Sequence, residues 1–179
     1  MSASDLMPQL ISLNKFEDKR GSFLKSFNPA MVDGEGHEER SNIREIFITV
    51  SGQNIIRGMH FQTPPHDHHK YVTCLNGRVL DVLLDIRPNS GTYGAVHSFE
   101  LCSENPETLA IPTGFAHGFL SLTDNATLLY AVTTEFNAES DSGILWDSFG
   151  FSWPVESKPV ISERDNLHPK FNDFESPFS

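Results

Sequence analysis

The chain has 179 residues, a formal net charge of −11 and 38% hydrophobic residues. That length suits one domain with a core of its own. The acidic balance excludes the broad basic surface that nucleic acid or an anionic membrane requires, while leaving room for one small anion held by local arginines and lysines.

Met1 to Leu10 lacks a basic region followed by an apolar core, and no apolar run reaches the ~20 residues that span a bilayer, so a cytoplasmic protein is expected. Gln9 to Leu13 alternates and predicts a first strand, and Ser22 to Phe27 a second, with Phe16 to Gly21 as a polar turn between them. Pro29 to Glu39 is polar and glycine-bearing, suited to one short helix or a loop. Ile43 to Val50 is rich in β-branched residues and ends at the turn Ser51-Gly52-Gln53-Asn54. Strands are then expected at Ile55–Gln62, Lys70–Leu75, Arg78–Arg87, Ala95–Leu101, Thr108–Ile111, Phe119–Leu122 and Thr127–Thr134. Asn76-Gly77 carries the signal of a two-residue hairpin. A short helix is expected near Ser162–Asn166, and the polar tail after Trp153-Pro154 should pack over the barrel or onto a second subunit. Cys74 and Cys102 sit in apolar runs and read as buried free thiols. Many short β runs broken by Gly, Pro and Asn predict one all-β domain over 1–179, an antiparallel barrel or jelly roll with a few short helices.

Two stretches carry the chemistry. Arg57-Gly58-Met59-His60-Phe61-Gln62 and Ile111-Pro112-Thr113-Gly114-Phe115-Ala116-His117-Gly118-Phe119 each set a histidine among apolar residues and glycines. With Lys70, they predict a pocket with a base and fixed positive charge, suited to an anionic substrate that must lose a proton. His60 and Gln62 share a strand face. Arg57 would face the other way in a regular strand, but Gly58 could host a bulge that re-aims it. A carboxylate must orient the base, and Asp81, Asp85, Asp147 and Asp165 are all eligible; Asp81 and Asp85 could equally pair with Arg78 or Arg87. Tyr130 lies in an alternating strand and could donate a proton.

Pro112-x-Gly114-x-x-His117 resembles the second motif of the cupin superfamily. Metal-binding cupins also carry His-x-His followed by a glutamate. His66-x-His68 is present, with His69 adjacent, but Lys70 to Cys74 stands where the glutamate would be. The three histidines therefore read as a solvated loop after Pro64-Pro65, and neither metal nor cofactor is expected.

Taken together, the ordered motifs resemble the dTDP-4-dehydrorhamnose 3,5-epimerase family. They run from Asp18-Lys19-Arg20-Gly21 through Arg57–Gln62, Asp81-Val82, Asp85-Ile86-Arg87, Ser90–Gly94 and Ile111–Phe119. Tyr130, Gly143-Ile144-Leu145-Trp146, Trp153-Pro154 and Ser162-Glu163-Arg164-Asp165 complete the set. The resemblance implies a metal-free cupin-type jelly roll, a homodimer, acting on nucleotide-linked 4-keto-6-deoxy sugars in surface polysaccharide synthesis. It implies His60 as base, Asp165 as its partner, Lys70 beside the C4 oxygen and Tyr130 as donor on the opposite face. Arg20, Arg57, Gln62, His117, Phe136, Asp141 and Arg164 would contact the substrate.

Six positions depart from the family pattern. Glu45-Ile46-Phe47 replaces Gln-Asp-Asn, Lys25 replaces a glutamate, Phe136 replaces a tyrosine and Arg164 replaces a lysine. The implied catalytic set is intact and the base-recognition set altered, so CDP, GDP or UDP sugars compete with dTDP sugars as substrates. A 3,4-ketoisomerase and a non-catalytic sugar-binding cupin are the alternative functions on this fold.

Overall fold

The computed structural model describes residues 6–32 and 36–178. Its strands are β1 (Gln9–Ser12), β2 (Lys15–Asp18), β3 (Gly21–Leu24), β4 (Glu45–Ser51), β5 (Ile56–Gln62), β6 (Lys70–Asn76), β7 (Arg78–Asp85), β8 (Val96–Cys102), β9 (Glu107–Ile111), β10 (Phe115–Ser121), β11 (Ala126–Val132) and β12 (Asp141–Gly143). One helix, α1, covers His37–Ser41, and short 3-10 turns stand at Pro29–Met31, Asp165–Leu167 and Phe171–Asp173. Two five-stranded sheets have the orders β1-β9-β6-β11-β4 and β12-β5-β10-β7-β8, with β2-β3 as a separate hairpin. All these pairings are antiparallel, the expected all-β jelly roll.

The period-2 pattern explains the layering. Along β7, Val79 and Leu83 point between the sheets, with Leu109, Ile111 and Leu128 of the facing sheet in the same core. Val82 and Leu84 point the other way, into a second apolar layer with Met59, Ile144, Trp153 and Phe178. The tail therefore lies over the outer face of the β5-β10-β7 sheet, as its composition suggested. Each large side chain buried there contributes roughly 1.5–3 kcal/mol.

Several expectations change in detail. Asn76-Gly77 does not close a hairpin: β6 pairs with β9 and β11, and β7 with β8 and β10. Gly77 turns a corner between the two sheets, at φ +74°, and a Cβ there would lie 2.3 Å from Thr123 Oγ1. Local turn chemistry was read correctly, but the sheet assignment is tertiary. The segment read as a turn at Phe16–Gly21 is largely strand, because β2 and β3 form a tight hairpin around Lys19-Arg20. The expected Phe119–Leu122 strand begins four residues earlier, at Phe115, so His117 lies within β10 rather than before it. β12 was not foreseen; it is three residues long and carries no alternation to read. The expected helix near Ser162–Asn166 is the 3-10 turn Asp165–Leu167. Part of the Pro29–Glu39 expectation falls on residues 33–35, outside the described residues.

Candidate active site

The two sheets open at one end into a cleft of about 350 Å³, within the ~300–1,000 Å³ common for small-molecule sites. One wall belongs to β5 and β10, the facing wall to β4, β6 and β11.

On β5 the register against β10 shifts between His117↔His60 and Phe119↔Arg57. Two residue steps on β10 are answered by three on β5, so the extra residue is a bulge at Gly58-Met59. It turns Arg57 and His60 to the same side, and both line the cleft. Glycine is required on both strands here. Gly58 has φ +141°, and a Cβ on Gly118 would lie 2.7 Å from Met59 Sδ and 2.9 Å from the Arg57 carbonyl.

His60 Nε2 lies 2.8 Å from Asp165 Oδ1. Asp165 comes from the tail and is buried; its other oxygen accepts the Gly58 N–H at 3.2 Å. Burial alone would raise the Asp165 carboxyl. The His60 ring and the Gly58 and Ser162 donors outweigh it, lowering the group to about 2. Asp165 is therefore a carboxylate at neutral pH and accepts the His60 Nε2 proton. Nδ1 is left as the basic atom of His60. Asp165 does not line the cleft; it stands behind His60.

His117 lies deeper, and its Nε2 is 2.8 Å from Asp81 Oδ2. Burial holds its pKa below the ordinary histidine value, against the pull of Asp81. The alternative pairing of Asp81 with an arginine does not occur, whereas Asp85 does bind Arg87, at 2.6 Å. Tyr130 stands on the facing sheet, buried, with its ring 6.0 Å from that of His117. Phe47 lies flat against it at 4.6 Å. Burial pushes the Tyr130 phenol far above its ordinary pKa, so it keeps its proton. Lys70 Nζ donates to the His60 carbonyl at 3.1 Å; burial lowers it to about 8, and the nearby Asp81 and Asp141 limit the fall.

At the mouth, Arg164 pairs with Asp141 at 2.7 Å, and the Arg57 guanidinium is braced by Ser51 Oγ at 3.0 Å. Phe136 is 63% exposed, and its backbone N–H donates to Glu45 Oε2 at 2.8 Å. Gln62 lines the cleft, but its amide holds the surrounding loops. It donates to the His66 and Glu135 carbonyls and accepts from the Asn137 N–H.

Two expectations are corrected. His68 is not part of a solvated loop: it is half-buried, lines the cleft and is lowered to about 3, chiefly by burial and then by Lys70. His68 Nδ1 lies 3.1 Å from Thr134 Oγ1, whose hydroxyl donates to the His66 carbonyl, and 3.3 Å from the Gln62 amide nitrogen. The signal was its place two residues before Lys70, which begins a strand lining the cleft. Arg20 is the exception among the expected substrate contacts. It lies on the β2–β3 hairpin, paired with Asp18 at 2.5 Å and 85% exposed, and does not line this cleft.

A histidine–carboxylate dyad, an opposed tyrosine and a buried lysine thus meet in one jelly-roll cleft, an arrangement suited to an isomerase of the cupin type. The model of the dTDP-4-dehydrorhamnose 3,5-epimerase family matches residues 7–173, and the chain belongs to that family. It is 36% identical over 169 residues to a dTDP-4-dehydrorhamnose 3,5-epimerase of Sinorhizobium fredii, covering 90% of this chain and 83% of the relative. The structure of an epimerase from Mycobacterium tuberculosis superposes with a TM-score of 0.86 at 32% identity, over 93% of this chain and 84% of that one. A dTDP-6-deoxy-D-glucose-3,5-epimerase from Legionella pneumophila, solved with dTDP-4-keto-L-rhamnose, gives 0.85 at 28% identity, over 96% and 93%.

Proposed function

We propose that this chain inverts one or both carbons flanking the C4 ketone of a nucleotide-linked 4-keto-6-deoxy sugar. One observation carries the reading: His60, backed by Asp165, and Tyr130 stand on opposite sheets of one cleft. A ketone makes the neighbouring C–H acidic, because its loss gives an enolate. His60 Nδ1 takes that proton. The developing charge on the C4 oxygen is met by the Lys70 ammonium. Tyr130 then returns a proton from the opposite wall, which inverts the carbon. Arg57 and Arg164 offer planar guanidinium forks to a diphosphate, and Phe136 offers an exposed ring to a nucleobase. His117 lines the wall that faces Tyr130, and Gln62 and Asp141 shape the walls.

The reading extends to a homodimer. Ile46, Ile48 and Val50 form an exposed apolar stripe on β4, an edge strand, at 64%, 56% and 57% exposure. Phe16 and Phe23 on the hairpin are similarly exposed. A second copy covers such surfaces, and it offers a route for Arg20 to reach a substrate. No helix among the described residues is long and apolar enough to cross a membrane, and both cysteines are free thiols. We place the enzyme in the cytoplasm, making deoxysugar precursors for surface polysaccharide.

Incubation with a 4-keto-6-deoxy sugar nucleotide in D2O tests the activity. Deuterium should enter C3 or C5 with inversion, followed by NMR. A substrate that binds but exchanges no hydrogen would leave a sugar-binding protein instead.

A further inference from the structure

We infer that His60, Asp165 and His168 form a zinc-binding site that silences the base when occupied. Their three donor atoms, one from each side chain, lie within 4.8 Å of one another. Asp165 Oδ1 is 2.8 Å from His60 Nε2 and 3.9 Å from His168 Nε2. A tetrahedral zinc with bonds of ~2.0–2.1 Å sets its donors ~3.3 Å apart, so the two observed separations bracket the required one. Two imidazoles and one carboxylate with an open fourth position are a donor set that zinc accepts.

His168 has no other task in the site. Its Nε2 is buried, lacks a hydrogen-bond partner and faces the dyad. Its ring stands edge-on to that of His60, with centroids 5.9 Å apart. The chain holds it there firmly. Residue 169 is tied to the strand wall by the Leu145 N–H at 2.8 Å. Gly143, opposite His60 in the β12–β5 register, leaves the space the ring fills, since a Cβ there would lie 2.5 Å from His168 Nε2. His60 is 31% exposed to the cleft, which gives an ion an entry and a water the fourth position.

The consequence follows from the dyad. In the free enzyme the His60 proton sits on Nε2 and Nδ1 is the base. Zinc on Nε2 displaces that proton, and the neutral ring carries it on Nδ1 instead. The lone pair that abstracts the substrate proton is then gone.

Calorimetric titration of the wild-type protein with zinc alone should give one site per chain. Deuterium exchange should fall in step with occupancy and return with a chelator. His168→Gln should keep its exchange activity and bind zinc at least ~10-fold more weakly. Cobalt(II) should give the visible spectrum of a four-coordinate site in the wild type only. Independently of any variant, zinc should move the imidazole nitrogen resonances of His60 and His168. Absence of one-to-one binding, movement of other histidines instead, or equal inhibition of His168→Gln would overturn the site.

Discussion

The cleft contains two histidine–aspartate pairs of the same length, His60–Asp165 and His117–Asp81, both at 2.8 Å. They differ in exposure and origin. The His60 side chain is 31% exposed, while that of His117 is 5% exposed over a fully buried Asp81. His117 and Asp81 sit on adjacent strands of one sheet, β10 and β7. His60 and Asp165 join a strand to the tail. A pair that meets substrate can pass a proton on; a pair sealed in the sheet can only fix charge and shape. Sequence alone shows two histidines in glycine-flanked apolar runs, and burial separates their tasks.

The largest difference should come from His60→Ala. Loss of a general base costs ~10²–10⁴-fold, so deuterium exchange should collapse, while the urea midpoint moves less than in His117→Ala because Asp165 keeps the Gly58 N–H. Near wild-type exchange would remove His60 from the mechanism. His117→Ala should behave in the opposite way. It leaves Asp81 buried without its partner, which costs ~3–5 kcal/mol, read as a shift in the urea midpoint. Equal stability of the two variants would erase the distinction between the pairs.

Tyr130→Phe sharpens the comparison, because its ring rests near the sealed pair while its hydroxyl serves the open one. Abstraction and return by His60 survive, so exchange persists. Epimerised product should fall ~10²-fold. If both readouts fall together, Tyr130 is not a separate donor.

A smaller effect concerns pH. Lys70 is charged below about 8 and loses its charge above. Its stabilisation of the enolate is therefore complete at low pH and fades as pH rises through that value. The exchange rate should show an alkaline limb near 8; a flat profile to pH 10 would mean that Lys70 works uncharged.

The smallest effect lies at the mouth, far from either pair. Glu45 is engaged with the Phe136 backbone and Phe47 with the Tyr130 ring, so neither presents the family's amide contacts. Titration with dTDP, CDP, GDP and UDP should show no exclusive preference for dTDP. A strong and exclusive one would show that these substitutions do not govern the base.

Most of the fold was legible because alternation and turn residues mark strands locally. Which strands share a sheet was not, as Gly77 demonstrates: the same dipeptide that closes a hairpin also turns a corner. In the site, His60, Lys70 and Tyr130 could be read from strand position and family resemblance together. His68 was misread because Pro64-Pro65 and polar neighbours imitate a surface loop, while its setting depends on Thr134, in the bend after β11. His168 carried no signal, since its place depends on Gly143, distant in sequence. Arg20 shows the converse: its motif is present, but the fold of one chain leaves it outside the cleft.

Asp165 belongs to the tail, and the strands of the jelly roll are complete by Gly143. During synthesis the barrel strands, His60, Lys70 and Tyr130 emerge before the carboxylate that orients the base. The chain can thus hold a shaped cleft for a time without a working catalyst in it. Activity becomes a report that the last segment has docked, and proteolytic clipping between the barrel and Asp165 would separate binding from turnover in a protein that still looks folded.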